Sequence, residues 1–292
     1  MTMPAAARDA RPLVLDGGLG TLLEDRGHDV SSDLWSARLL RDEPAAVRAA
    51  HAEFVAAGAD VLITSSYQLG HGGSIDDDEV DTLLRRSVRL ARDAGDVVVA
   101  ASVGPYGAFR ADGSEYTGRY DLGTAELRTW HRRRLAVLAE SGADALAIET
   151  IPNVVEVDAL AAELERLARP DLPVWISLSA GSDALAGDAL GRALALAAAA
   201  PGVVAVGVNC CAPAMVSPAL AHAPAGVARV AYPNSGERWD AVARRWVGAG
   251  GVPIALAREW IDAGARLVGG CCRTTPAHIA ALAAAVGVAA AG

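Results

Sequence analysis

At 292 residues, with 52% hydrophobic and only 4% aromatic side chains, the chain is long enough to bury a large core, and a formal net charge of -9 argues against nucleic-acid or anionic-membrane partners. The N-terminus lacks the apolar core of a signal peptide. The uncharged stretch from Ala193 through Met215 is broken by Pro201-Gly202, Asn209 and Pro213, so no segment reads as a membrane span. A soluble, cytoplasmic protein is expected, and in that reducing setting its 4 cysteines point to metal or catalysis rather than disulfides.

The elements follow in chain order. Pro12 to Asp16 reads as a strand with an acid at its tip, followed by the glycine turn Gly17-Gly18-Leu19-Gly20. Leu34 to Leu40 is an apolar loop or short helix. Pro44 opens a helix that closes at Gly58. Asp60 to Tyr67 is a second strand, and the acidic run Asp76 to Glu79 suits a helix start, where negative charge complements the macrodipole. Val97 to Val103 is the third strand. A polar loop from Arg110 to Asp121, a candidate lid, precedes a helix begun by Thr124. The fourth strand is Ala143 to Thr150. A helix over 154–168, a fifth strand over Val174 to Ser179 and a helix over 184–199 come next. The sixth strand is Val203 to Cys210, the seventh Ala228 to Tyr232 and the eighth Leu267 to Cys271. Thr275-Pro276 starts the last helix.

Eight short, apolar, non-alternating strands separated by helices describe an α/β fold, a single (β/α)8 TIM barrel. One domain over residues 1–292 is expected, with about the first ten residues disordered or extended. In such a barrel the strand tips share one mouth, where active sites lie. The tips here are Asp16, Thr64, Ser102, Glu149, Ser179, Cys210, Asn234 and Cys271-Cys272. A lone acid or hydroxyl at a tip usually caps a helix or bonds a loop. Cysteines placed twice at strand tips ask for a different explanation.

Zinc favours thiolates in tetrahedral geometry and keeps a fourth position open when the protein supplies three ligands. Cys210, Cys271 and Cys272 are the expected three. Cys211 should point away, because neighbours on a strand face opposite sides. Gly269 and Gly270 provide a bend that lets Cys271 and Cys272 both turn inward. Three thiolates leave the zinc centre with a net negative charge, poor for hydrolysis but suited to holding a substrate thiol, whose ordinary pKa of roughly 8.5 the metal lowers. His71, His131 and His278 show no ligand spacing and read as surface or core residues.

Gly207-Val208-Asn209-Cys210 and Gly269-Gly270-Cys271-Cys272-Arg273-Thr274-Thr275-Pro276 resemble the zinc motifs of the homocysteine S-methyltransferase family. Asp16 to Thr21, Leu34 to Leu40, Thr64 to Gln68, Gly104 to Gly107, Asp112 to Tyr116, Glu149 to Asn153 and Tyr232 to Asn234 are also similar to its segments, so the resemblance covers nearly the whole chain. It implies zinc-dependent methyl transfer to L-homocysteine, forming methionine. By the same resemblance Cys210, Cys271 and Cys272 bind Zn2+ and carry the chemistry. Asp16 and Glu149 receive the homocysteine ammonium, the Gly17 and Thr64 region its carboxylate, and Asn234 joins the substrate-binding set. The Leu34 to Leu40 and Thr64 to Gln68 segments look more like the S-methylmethionine-using branch, a sulfonium donor (S-methylmethionine or S-adenosylmethionine), than the betaine-using one. Tyr67, Trp35 or Tyr106 would face that cation. Leu69-Gly70-His71 departs from the family pattern and bears on donor preference. The alternatives are a betaine-using or selenocysteine-methylating transferase, a barrel fed by a corrinoid protein, and a non-catalytic zinc or thiol protein.

Overall fold

The structure, a computed structural model, describes residues 11–29, 35–240, 245–248 and 250–289. The expected disordered or extended lead, about residues 1–10, lies outside the described residues. Eight parallel strands are present: β1 (Leu13–Val14), β2 (Val61–Ile63), β3 (Val98–Val103), β4 (Ala145–Ile151), β5 (Val174–Ser179), β6 (Val203–Asn209), β7 (Ala228–Tyr232) and β8 (Ala265–Val268). Each pairs with its neighbour in sequence from β2 to β8, and β8 pairs with β1 through Leu13–Leu267 and Val14–Val268. A parallel bridge from Leu15 to Val61 joins β1 to β2 and closes the ring. The fold is a (β/α)8 barrel.

Its strands do not alternate because both faces are covered: every residue of β3, β4 and β5 is buried. Inside the ring, Ala100, Ala145, Ala147 and Ala205 leave room for two large side chains, Trp175 and Tyr232. A second apolar cluster fills the layer between strands and helices, with Phe54, Leu84, Leu160 and Trp260 among its fully buried members. Gly207 lets β6 and β7 approach: a Cβ there would sit 1.9 Å from the Val230 carbonyl oxygen.

Several expected elements take a different form. Of the stretch expected as an apolar loop or short helix, Leu34 lies outside the described residues and the rest is helical, Trp35–Asp42. The second strand stops at Ile63 instead of Tyr67, since the chain turns inward at the barrel mouth. The helix expected over 184–199 is split at Gly187, whose φ of 59° ends a 3-10 turn (Asp183–Leu185) before helix Asp188–Ala199 begins. The acidic run does open a helix, Asp77–Arg92, with the Asp76 carboxylate accepting from the N–H groups of Asp78 and Glu79. A hairpin (Arg238–Asp240 with Arg245–Val247) and helix Ile254–Asp262 were not anticipated between the seventh and eighth strands. Among the described residues no helix is long and apolar enough to cross a membrane.

Candidate active site

The three anticipated thiols meet at the mouth of the barrel. Cys210 follows the last residue of β6 and adopts φ 49°, a left-handed conformation that costs a non-glycine residue roughly 1–2 kcal/mol. Cys271 and Cys272 follow β8, with the Cys271 N–H donating to the Pro233 carbonyl at 2.7 Å and the Cys272 N–H to Asn234 Oδ1 at 3.1 Å. The three sulfurs lie within 4.8 Å of one another, and Cys210 Sγ is 3.8 Å from Cys272 Sγ. Cys211 is buried in the outer apolar cluster, and burial pushes its thiol up to about 12. Gly269 and Gly270 act differently from expectation. Neither has a positive φ; a Cβ on Gly269 would meet Leu15 Cβ at 2.6 Å and one on Gly270 the Thr274 side chain at 2.3 Å. They allow close packing against β1 and the next turn, and the reversal itself falls at Arg273, φ 64°.

A cavity of about 310 Å³ opens over these sulfurs, and Asp16, Gly17, Thr64 and Glu149 line it with the three cysteines. Burial holds the Asp16 carboxyl well above the usual range against a hydrogen bond from the Ile63 N–H (2.9 Å), and the nearby Glu149 raises it further. Burial also lifts Glu149 to about 7, opposed by hydrogen bonds from Ser102 and Tyr232. Two buried carboxyls that repel each other form a site completed by a cation. Hydrogen bonds from Cys210 and Cys271 hold the Cys272 thiol well down, whereas Cys271, donating to both, is pushed up.

Other anticipated residues are placed elsewhere. Asn234 does not line the cavity; it bonds the Cys272 backbone. Tyr67 lines the cavity, but Tyr106 does not: its ring packs against Tyr120 and Trp130 at centroid distances of 5.5 and 5.1 Å. The Trp35 side chain falls outside the described residues. Leu69 and His71 are buried away from the cavity wall, and Gly70 lies against Trp130 and Phe109, so the departure from the family pattern does not reach the site. His71 bonds Asp81, and His131 is buried between Glu156 and Arg134.

The wall residues not anticipated from the sequence include Ser65, Gln68, Glu115 and Tyr116. Thr64 Oγ1 already accepts from the Ser102 N–H and shares a hydrogen bond with Ser66, whereas the buried Ser65 hydroxyl has no partner among the described residues. Glu115 and Tyr116 come from the segment expected as a lid, which folds into a short turn, Ser114–Thr117. The buried Glu156 carboxylate anchors the chain on either side of that turn, accepting from the Tyr106 N–H, just before the segment, at 2.7 Å and from the Tyr120 hydroxyl near its end. Tyr116 Oη reaches to 3.5 Å from Cys210 Sγ. The Asp112 to Tyr116 motif was visible in the sequence, but nothing local indicated that it crosses over the cysteines.

A parallel barrel whose catalytic mouth gathers three thiols and two buried carboxyls defines an enzyme with a metal-competent thiol centre. A family model described as homocysteine S-methyltransferase matches residues 13–286, and the chain belongs to that family. Homocysteine S-methyltransferase of Escherichia coli is 43% identical over 292 residues, covering 92% of this chain and 94% of that protein. Selenocysteine Se-methyltransferase of Brassica oleracea var. italica is 41% identical over 305 residues, covering 92% of this chain and 87% of that one. The crystal structure of the homocysteine methyltransferase MmuM from Escherichia coli in its metallated form matches with a TM-score of 0.80 at 39% identity, covering 94% of this chain and 96% of the other.

Proposed function

We propose that this protein moves a methyl group from a sulfonium donor (S-methylmethionine or S-adenosylmethionine) to the thiol of L-homocysteine, forming methionine, at a zinc site made by Cys210, Cys271 and Cys272. The observation that carries the reading is the convergence of those three sulfurs, within 4.8 Å, beneath a cavity walled by Asp16 and Glu149. The donor set fits zinc: tetrahedral thiolates at about 2.3 Å from a metal sit about 3.8 Å apart, the spacing of Cys210 and Cys272. Zinc, when bound, supplies acidification of a substrate thiol at neutral pH.

The chain's own groups do the positioning. Asp16 is oriented by the Ile63 N–H and Glu149 by the Ser102 and Tyr232 hydroxyls, and both carboxyls line the cavity where the substrate ammonium would sit. The Ser65 hydroxyl beside Thr64, with the Gly17 turn, offers donors for the carboxylate. Held at both ends, homocysteine presents its sulfur over the cysteines. The ionised sulfur attacks the donor methyl in line. A new sulfur–carbon bond forms, and the old bond's electron pair stays on the departing sulfur, which leaves as a neutral thioether. Opposite charges cancel, a change that a cavity shielded from water favours. Four free cysteines and small-molecule substrates support a single-domain cytoplasmic enzyme.

The test is methionine formation from homocysteine by zinc-loaded protein, with S-methylmethionine, S-adenosylmethionine and betaine as parallel donors and selenocysteine as a competing acceptor. Turnover with a sulfonium that vanishes in Cys272→Ser is expected. Zinc bound at one per chain with no turnover from any donor would overturn the reading.

A further inference from the structure

The cavity has a second acidic pole that homocysteine does not use. Asp16, Glu24, Glu115 and Glu149 all line the wall, and among the described lining residues there is no lysine, arginine or histidine. Asp16 and Glu149 are absorbed by the acceptor's ammonium. On the same wall, Glu115 Oε2 and Gln68 Oε1 are both shielded from solvent and have no hydrogen-bond partner among the described residues. A buried carboxylate oxygen left unpaired is costly, so a site that keeps one is completed by what it binds. Beside it stands the Tyr116 ring, whose hydroxyl lies 3.5 Å from Cys210 Sγ and therefore next to the reacting sulfur. A carboxylate oxygen, an amide oxygen and a π face thus line one cavity, all attractive to positive charge.

We infer that Glu115, supported by Gln68 and Tyr116, is the receptor for the donor's positive sulfur centre and selects cationic methyl donors. The inference rests on the methyl transfer proposed above and goes beyond it by assigning the donor side of the cavity. It has a kinetic consequence. The donor's positive charge disappears as the methyl group moves, so an anionic contact made with the bound donor weakens towards the transition state. Such a contact tightens donor binding without accelerating the chemical step. It also releases the product, since the neutral thioether leaves Glu115 nothing to hold.

The test is steady-state kinetics in S-methylmethionine at saturating homocysteine for Glu115→Gln, which keeps shape and loses charge, and Glu115→Asp, which keeps charge at shorter reach. The expected result for Glu115→Gln is a donor KM raised about tenfold or more, with kcat equal to or above wild type. Homocysteine KM and zinc content stay unchanged, and Glu115→Asp falls between. The carbon isostere of the donor, with C–H replacing the positive sulfur, should bind wild type far more weakly than the donor does, and the gap should close in Glu115→Gln. An unchanged donor KM, or a homocysteine KM rising in step with it, would overturn the assignment. Calorimetric binding of S-methylmethionine to zinc-loaded wild type and Glu115→Gln separates the two ideas. Binding lost in the variant upholds the receptor even if no donor turns over, which would count against the transferase reading alone. Equal binding to both proteins sinks the receptor whatever the turnover.

Discussion

Asn234 holds the two cysteine segments together: its side-chain oxygen accepts from the Cys272 N–H at 3.1 Å, and its own N–H donates to the Cys211 carbonyl at 2.9 Å. The residue thus acts one layer behind the sulfurs. Groups in that position set metal affinity through orientation, commonly by about 10- to 100-fold. Asn234→Ala should weaken zinc retention by that order in a chelator competition while leaving the cysteines intact. Unchanged retention would show that the segments hold their places without it.

Ligand identity is separable from cysteine content. Cys210→Ser, Cys271→Ser and Cys272→Ser should each abolish stoichiometric zinc and activity together. Cys211→Ala, which alters only the outer apolar layer, should keep both, with stability lowered by about 1 kcal/mol. Metal analysis alongside chemical denaturation checks both halves.

Glu149 predicts a pH dependence with a definite sign. Burial raises its carboxyl from 4.5 to about 7, so folding favours the protonated form. Its contribution to stability is fully present below pH 4.5 and lost as pH rises towards 7, at about 1.4 kcal/mol per pH unit in that window. Glu149→Gln should therefore gain stability relative to wild type as pH rises from 5 to 7. An ammonium ligand reverses the preference. Methionine, which has no thiol to ionise, should bind wild type more tightly as pH rises through about 7, and Glu149→Gln should lose the part of that dependence that Glu149 contributes. Parallel curves for the two proteins would remove Glu149 from the ammonium site.

Gly207 offers a test of the barrel itself. A methyl group placed 1.9 Å from the Val230 carbonyl oxygen cannot be accommodated by a side-chain rotation. Gly207→Ala should cost about 1–3 kcal/mol or more and pry β7 from β6. A denaturation midpoint equal to wild type would show that the two strands can separate without penalty.

The barrel was legible because its strands are sheathed on both sides, so continuous apolar runs such as Val98–Val103 stand out between turn residues. The cysteine centre was legible for a related reason: strand tips converge in this architecture, so sequence distance does not matter. Glu115 and Tyr116 were not, because a polar loop carries no periodicity and its path is set by Glu156, a residue beyond the next helix and β4. The role of Gly269 and Gly270 was misjudged since glycine signals freedom locally, whereas here it answers crowding from Leu15 and Thr274. The break at Gly187 is visible only once its φ of 59° is known.

The strand that seals the ring also completes the thiol centre. β8 pairs with β1, the first strand of the chain, and runs directly into Cys271 and Cys272. During synthesis, therefore, Cys210 waits alone until nearly the whole polypeptide has emerged, and a half-made barrel has no cage in which to trap a metal. Loading is deferred until closure. A metal held by the three thiols would then bridge positions 62 residues apart and act as a latch, penalising reopening of the stretch from β6 to β8 by the entropy of a long loop. Stripping the metal should accordingly accelerate amide exchange first in residues 203–272, well before the remainder of the ring loosens.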